Sequence, residues 1–158
     1  MILATHALAG AALTHTYKNL VIAFFVSFVS HYFLDMIPHW HYHVPRIKKI
    51  TRGHEVISIK DIDREILWEI GKISIDFLLG LTVSLVVFDG SGIAVLVGVF
   101  GAILPDLLAG LAKVLPLKPL MWHDKFHRWI HTDIILDGAP IIGTSTQFIL
   151  ALLFVGFF

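Results

Sequence analysis

Apolar runs approaching the length of a bilayer span fill most of this chain, and ionisable residues break them at a few places only. Of 158 residues, 56% are hydrophobic and 15% charged, and the mean hydropathy is +0.80. Soluble domains carry about 25% charged residues, whereas a spanning helix needs roughly 20 predominantly apolar ones. The expectation is a single all-α domain over residues 1–158: an integral membrane bundle of four to five apolar helices. A polar loop at 41–63 and an amphipathic helix on the cytoplasmic side complete it.

Residues 1–14 are apolar and rich in small side chains, with His6 the only sizeable polar group. They lack the basic start of a signal peptide, although the alanine-rich end could mimic a cleavage site. At ~1.5 Å per residue they reach only about 21 Å, which predicts a short or partly inserted helix that packs closely against its neighbours. A second helix is expected from residue 20 to about Ile37, and Pro38 ends or kinks it. Asp61 or Asp63 is the expected N-cap of a third helix that begins near Arg64 and runs to Phe88. Asp89-Gly90-Ser91-Gly92 reads as a tight turn. A fourth helix is expected from Ile93 to about Val114 with Pro105-Asp106 inside it. An amphipathic segment over 120–131 and a last apolar helix reaching Phe158 follow.

Lysine and arginine collect in cytoplasmic loops. The stretch 41–64 holds Arg46, Lys48, Lys49, Arg52, Lys60 and Arg64, and 113–137 holds Lys113, Lys118, Lys125 and Arg128. The turn at 89–92 has neither, and the turn at 15–19 has only Lys18. This bias predicts a multi-pass protein of the cell's inner membrane with its N-terminus in the cytoplasm. Under that orientation His6, His31, Asp35, Asp76, Asp106 and the 120–131 segment fall at a similar depth on the cytoplasmic side.

The ten histidines are the compositional anomaly, and with no cysteine any metal must be held by imidazole and carboxylate. His31 and Asp35 are four apart, on one face of a helix. An ionised Asp deep in a bilayer costs on the order of 2.5–3.5 kcal/mol on insertion scales and usually faces the bundle interior. Asp76 has Lys72 one turn away as an ion-pair partner, or could serve as general base, a role also open to Asp35. Asp106 has no basic residue within a turn, so a metal, a histidine or a proton must neutralise it, and Pro105 frees a carbonyl beside it.

His123, His127 and His131 follow one another at i+4, each step rotating about 40°, so two of the three can share one ion. The alternative is an interfacial helix anchored by Trp122, Phe126 and Trp129. His6 is either a core residue or a ligand. His15, His41, His43 and His54 fall in turns or in the polar loop, where solvation is the expectation, and Pro38 leaves open any role for His39. Nitrogen and oxygen donors suit zinc, with manganese or iron also compatible. Such an ion lowers the pKa of its water to about 7 in the zinc case.

Thr5-His6-Ala-Leu-Ala-Gly10, Leu104-Pro105-Asp106 and His127-Arg-Trp-Ile-His131 together resemble the bacterial inner-membrane metal-dependent hydrolases. Ser30-His31-Tyr-Phe-Leu-Asp35-Met-Ile-Pro38-His39 is similar to a stretch of zinc-dependent phospholipases C and related nucleases, helical enzymes that cleave phosphoesters. These resemblances imply metal positions at His6, His31, Asp35, Asp106, His127 and His131. The last motif is one residue shorter than the family's usual form, so either His123 or His131 could partner His127.

The resulting expectation is a membrane-embedded metal-dependent hydrolase. It would act on a lipid or lipid-linked substrate, at a phosphoester, by metal-activated water near the cytoplasmic face. The alternatives are a divalent-metal or proton transporter, since intramembrane ionisable groups also mark ion pathways, and a structural subunit with His and Asp as interhelical glue. Zero net charge, from 12 basic and 12 acidic residues, argues against a nucleic-acid partner. Oligomeric state is left open.

Overall fold

A short helix, α1 (Leu3–Thr14), sits at the centre, because its run of alanine and glycine lets other helices approach on every side. A Cβ added at Gly10 would come within 2.4 Å of the Gly98 carbonyl oxygen, and one at Gly80 within 2.5 Å of Ala4 Cα. Only glycine permits crossings this tight, and packing of this kind is how helices associate in lipid. The helices so joined to α1 are α4 (Arg64–Val87) and α5 (Gly92–Ala112). Beside them stand α2 (Leu20–Asp35) and α7 (Pro140–Phe157). Two shorter helices, α3 (Pro45–Thr51) and α6 (Lys118–Ile130), lie outside this group.

The computed structural model describes residues 1–51, 56–88, 92–132, 134 and 136–157. Among them the architecture is helical throughout. Arg52, His54 and the Asp89–Ser91 part of the expected turn lie outside the described residues.

Local chemistry explains the boundaries. Asn19 starts α2, its Oδ1 accepting from the amides of Val21 and Ile22 at 3.0 and 3.2 Å. Asp63 caps α4, its Oδ1 accepting from Ile66 at 2.9 Å. The second helix stops at Asp35, two residues short of the expected Ile37, as the chain turns toward Pro38. Pro105 stays inside α5, buried. The stretch expected to be a loop contains α3 and a single 3-10 turn at Ile59–Asp61. The first two amides of α3 after Pro45, those of Arg46 and Ile47, donate to Glu69 of α4 at 2.8 and 2.9 Å. Glu69 is thereby buried as an acceptor at a helix N-terminus, where its charge is favoured.

Three helices, α4, α5 and α7, are long and apolar enough to cross a membrane, while α1 and α2, of 12 and 16 residues, are shorter. Their outward faces carry Ile75, Leu79, Val86, Ile93, Phe148 and Leu152, all exposed. The interior instead holds Thr14, Ser27 and Ser84, whose hydroxyls donate to carbonyls four residues back, and Gln147. An apolar exterior around polar groups inverts the soluble pattern, in which large exposed apolar patches are rare.

Candidate metal centre

Four donor atoms meet where α2, α5 and α6 converge. His31 Nε2 lies 3.1 Å from Asp35 Oδ2 and 3.8 Å from Asp106 Oδ1. His127 Nε2 lies 3.0 Å from Asp35 Oδ2 and 3.5 Å from Asp106 Oδ1. The two imidazole Nε2 atoms are 2.9 Å apart. Ligands about 2.0–2.1 Å from a tetrahedral ion stand roughly 3.3 Å from one another, and these separations bracket that value. His31, Asp35 and His127 are buried and the Asp106 side chain is 26% exposed, which leaves the group open on one side.

Each donor is aimed by its surroundings. His31 Nδ1 is 2.7 Å from the Ala102 carbonyl, which only accepts, so Nδ1 carries the proton and Nε2 presents a lone pair. Close packing of α2 on α5 makes this contact possible, since a Cβ at Gly101 would meet Ser27 Oγ at 2.2 Å. Asp106 follows Pro105, whose missing amide leaves the Gly101 carbonyl without its helical donor. Asp124 holds α6 against α5, accepting from Lys113 Nζ at 2.9 Å and from Arg128.

The remaining sequence candidates divide. His6 is fully buried, its ring stacked on His31 at 4.1 Å between centroids. Its Nε2 comes 3.2 Å from Asp35 Oδ1, yet neither ring nitrogen makes a well-aligned hydrogen bond. His123 stands apart from the four donors, its Nε2 hydrogen-bonded with Tyr32 OH at 3.0 Å and its Nδ1 without a hydrogen-bond partner. Asp76 also lies elsewhere. Its Oδ2 accepts from the Ala4 amide at 2.9 Å and from Tyr42 OH. Lys72, the partner expected for Asp76, donates instead to the His43 carbonyl at 2.7 Å.

His131 leaves α6 at its C-terminus, with φ −59° and ψ 138°, so the helical i+4 alignment with His127 lapses there. Its ring joins those of His39 and His41. Neither His39 nor His41 was singled out by sequence, although an available signal was period-two placement on one side of an extended segment after Pro38. His41 is partly buried rather than solvated, Nδ1 lying 2.9 Å from Asp137 Oδ1. Burial pushes the His41 and His131 imidazoles below their ordinary value, outweighing the carboxylates that face them. Burial also opposes charge on Asp137, but hydrogen bonds from the His41 amide and ring hold it below the ordinary carboxylate range. His43 is exposed, and His15 sits at the far end of α1 against Phe88.

The buried imidazole nitrogens of His6 without hydrogen bonds, and two Nε2 atoms converging with two acceptor-only carboxylates, fit a divalent cation. The donor set of His31, Asp35, Asp106 and His127 would leave that cation near neutral overall. No protein-family model, curated protein or solved structure matches this chain.

Proposed function

We propose that this chain is a membrane-embedded, metal-dependent hydrolase acting on a lipid or lipid-linked phosphoester. The observation that carries the reading is the convergence of His31, Asp35, Asp106 and His127, from three helices, to mutual distances suited to one divalent ion. A cation held there supplies Lewis-acid charge and acidifies a water at neutral pH. His31 and His127 would hold it through Nε2, with Asp35 and Asp106 as the balancing carboxylates. Zinc suits this N/O set best, and manganese or iron are compatible.

Substrate class follows from position. α6, the helix that carries His127, exposes Trp122 and Trp129 at 73% and 79%, and such aromatics favour the headgroup level of a bilayer. Lysine and arginine bias in the 41–64 and 113–137 stretches favours the cytoplasmic face of the inner membrane for that level. The buried ionisable side chains of the described residues are His6, His31, Asp35, His39, Glu69, Asp124 and His127. Thr14, Ser27 and Ser84 are closed on helical carbonyls. The stretches 21–29, 81–87 and 93–100 carry no ionisable side chain, which favours a hydrolase over a transporter.

The test is metal content of detergent-purified protein together with phosphoester cleavage in mixed lipid vesicles. Chelation is expected to abolish cleavage and added zinc to restore it, while Asp35→Ala and Asp106→Ala lose the ion. Full metal retention by both variants overturns the site, and zinc uptake into proteoliposomes without cleavage reverses the order of hydrolase and transporter.

A further inference from the structure

We infer that His39, His41 and His131 form a second divalent-cation site, beside the first. Their rings make a nearly equilateral triangle, with centroids 4.7, 4.8 and 4.9 Å apart. In all three, Nδ1 faces an oxygen that can only accept: the Ile37 carbonyl at 2.6 Å, Asp137 Oδ1 at 2.9 Å and the Thr132 carbonyl at 3.3 Å. Each Nδ1 therefore carries the ring proton, and each Nε2 presents a lone pair. Oriented this way, metal-binding histidines gain basicity and fixed direction from the group behind them.

Nε2 of His41 and Nε2 of His131 lie 3.2 Å apart. Two neutral rings in this tautomer cannot hydrogen-bond to one another, whereas an ion bound by both satisfies them at about the 3.3 Å edge of a tetrahedral site. His39 Nε2 is 2.6 Å from the Met1 amine and 3.8 Å from Asp35 Oδ1. The amine holds the His39 lone pair, so a cation bound by all three rings displaces it there, while the His41 and His131 lone pairs face one another.

The chain brings these rings together by backbone pairing. The Thr132 amide donates to the Asp35 carbonyl at 3.0 Å and the Leu136 amide to the His39 carbonyl at 3.3 Å. The segment after α6 is thereby laid along the segment after α2. Asp35 lies at the boundary of the two groups, Oδ2 toward His31 and His127, Oδ1 toward His6 and the Met1 amine, which in turn meets His39. Three neutral imidazoles with an open fourth position are a zinc-type donor set. That position would take an anionic oxygen. The second site stands without the hydrolase reading.

The experiment uses the full chain, purified in detergent, stripped with a chelator and dialysed against zinc, with metal per chain measured by mass spectrometry. Wild type is expected to hold about two ions per chain, one for each donor group. His41→Ala and His131→Ala should each lose about one and keep the other, and Asp106→Ala should lose the other one instead. Zinc content equal to wild type in both His41→Ala and His131→Ala overturns the second site. The same result in Asp106→Ala overturns only the first. Asp137→Asn, which leaves all donors in place, is expected to weaken one zinc affinity roughly ten- to a hundredfold. Unchanged affinity there overturns the argument from ring orientation. Cobalt in place of zinc gives a second readout, since tetrahedral nitrogen ligation produces visible absorption that His41→Ala should remove in part.

Discussion

Gly98 lies so near Thr14 that a Cβ built on it would fall 2.0 Å from the threonine Oγ1, and 2.5 Å from the Gly10 carbonyl oxygen. This crossing sets the distance of α1, which carries His6, from α5, which carries Asp106. Thr14 cannot turn away freely, because its hydroxyl donates to Gly10 O at 2.7 Å.

A single methyl group at this point should therefore force the helices apart. Gly98→Ala is expected to destabilise the protein by about 1–3 kcal/mol, the usual cost of overpacking, and to weaken zinc binding as α1 shifts. Gly110→Ala, on the same helix with nothing within 4 Å of the added carbon, should be neutral. Thermal unfolding in detergent followed by circular dichroism checks both; equal melting curves for the two variants would show that the crossing tolerates a side chain.

Acid should release the cap of α4. The Ile66 amide, together with Arg46, holds the Asp63 carboxyl below its ordinary 3.8. A depressed folded value means the stabilisation is present above the unfolded pKa and lost as pH falls through the folded one. Asp63→Ala is thus expected to melt below wild type at pH 7, the gap closing once the pH drops below 3.8. A gap that stays constant down to the lowest pH would assign the effect to something other than the charged cap. The measurement is a melting temperature at each pH, at fixed ionic strength because Asp63 is partly exposed.

Which of these features can be seen in the sequence depends on how local their causes are. The starts of α2 and α4 are legible because Asn19 and Asp63 cap them from within three residues. The shared face of His31 and Asp35 follows from helical spacing alone. By contrast α3 is a seven-residue helix held by a carboxylate more than twenty residues away, Glu69, so no local pattern announces it. His131 departs from its expected partners because the backbone leaves the helix at that very residue. The triangle with His39 and His41 needs segments about 90 residues apart to pair, a tertiary event that spacing does not encode.

Asp76 shows the same contrast in a form that can be tested. Sequence position made it a candidate general base, but its Oδ2 accepts from the Ala4 amide and Tyr42 OH, while Tyr42 OH in turn accepts from the Leu3 amide at 2.9 Å and Gln147 Oε1 from the Ile2 amide at 2.8 Å. The first amides of a helix lack partners within it, so these side chains finish α1 at its N-terminus. Asp76→Ala is expected to cost about 1–3 kcal/mol of stability by leaving those donors unsatisfied, with zinc content unchanged. Asp76→Asn keeps a carbonyl acceptor and should recover much of the loss. Tyr42→Phe should behave like a milder Asp76→Ala, because the Leu3 amide then loses its acceptor. A different result would restore the catalytic role: Asp76→Asn melting like wild type, binding zinc normally and failing to cleave a phosphoester lipid. Melting curves, metal content and cleavage measured on the same three preparations separate the two.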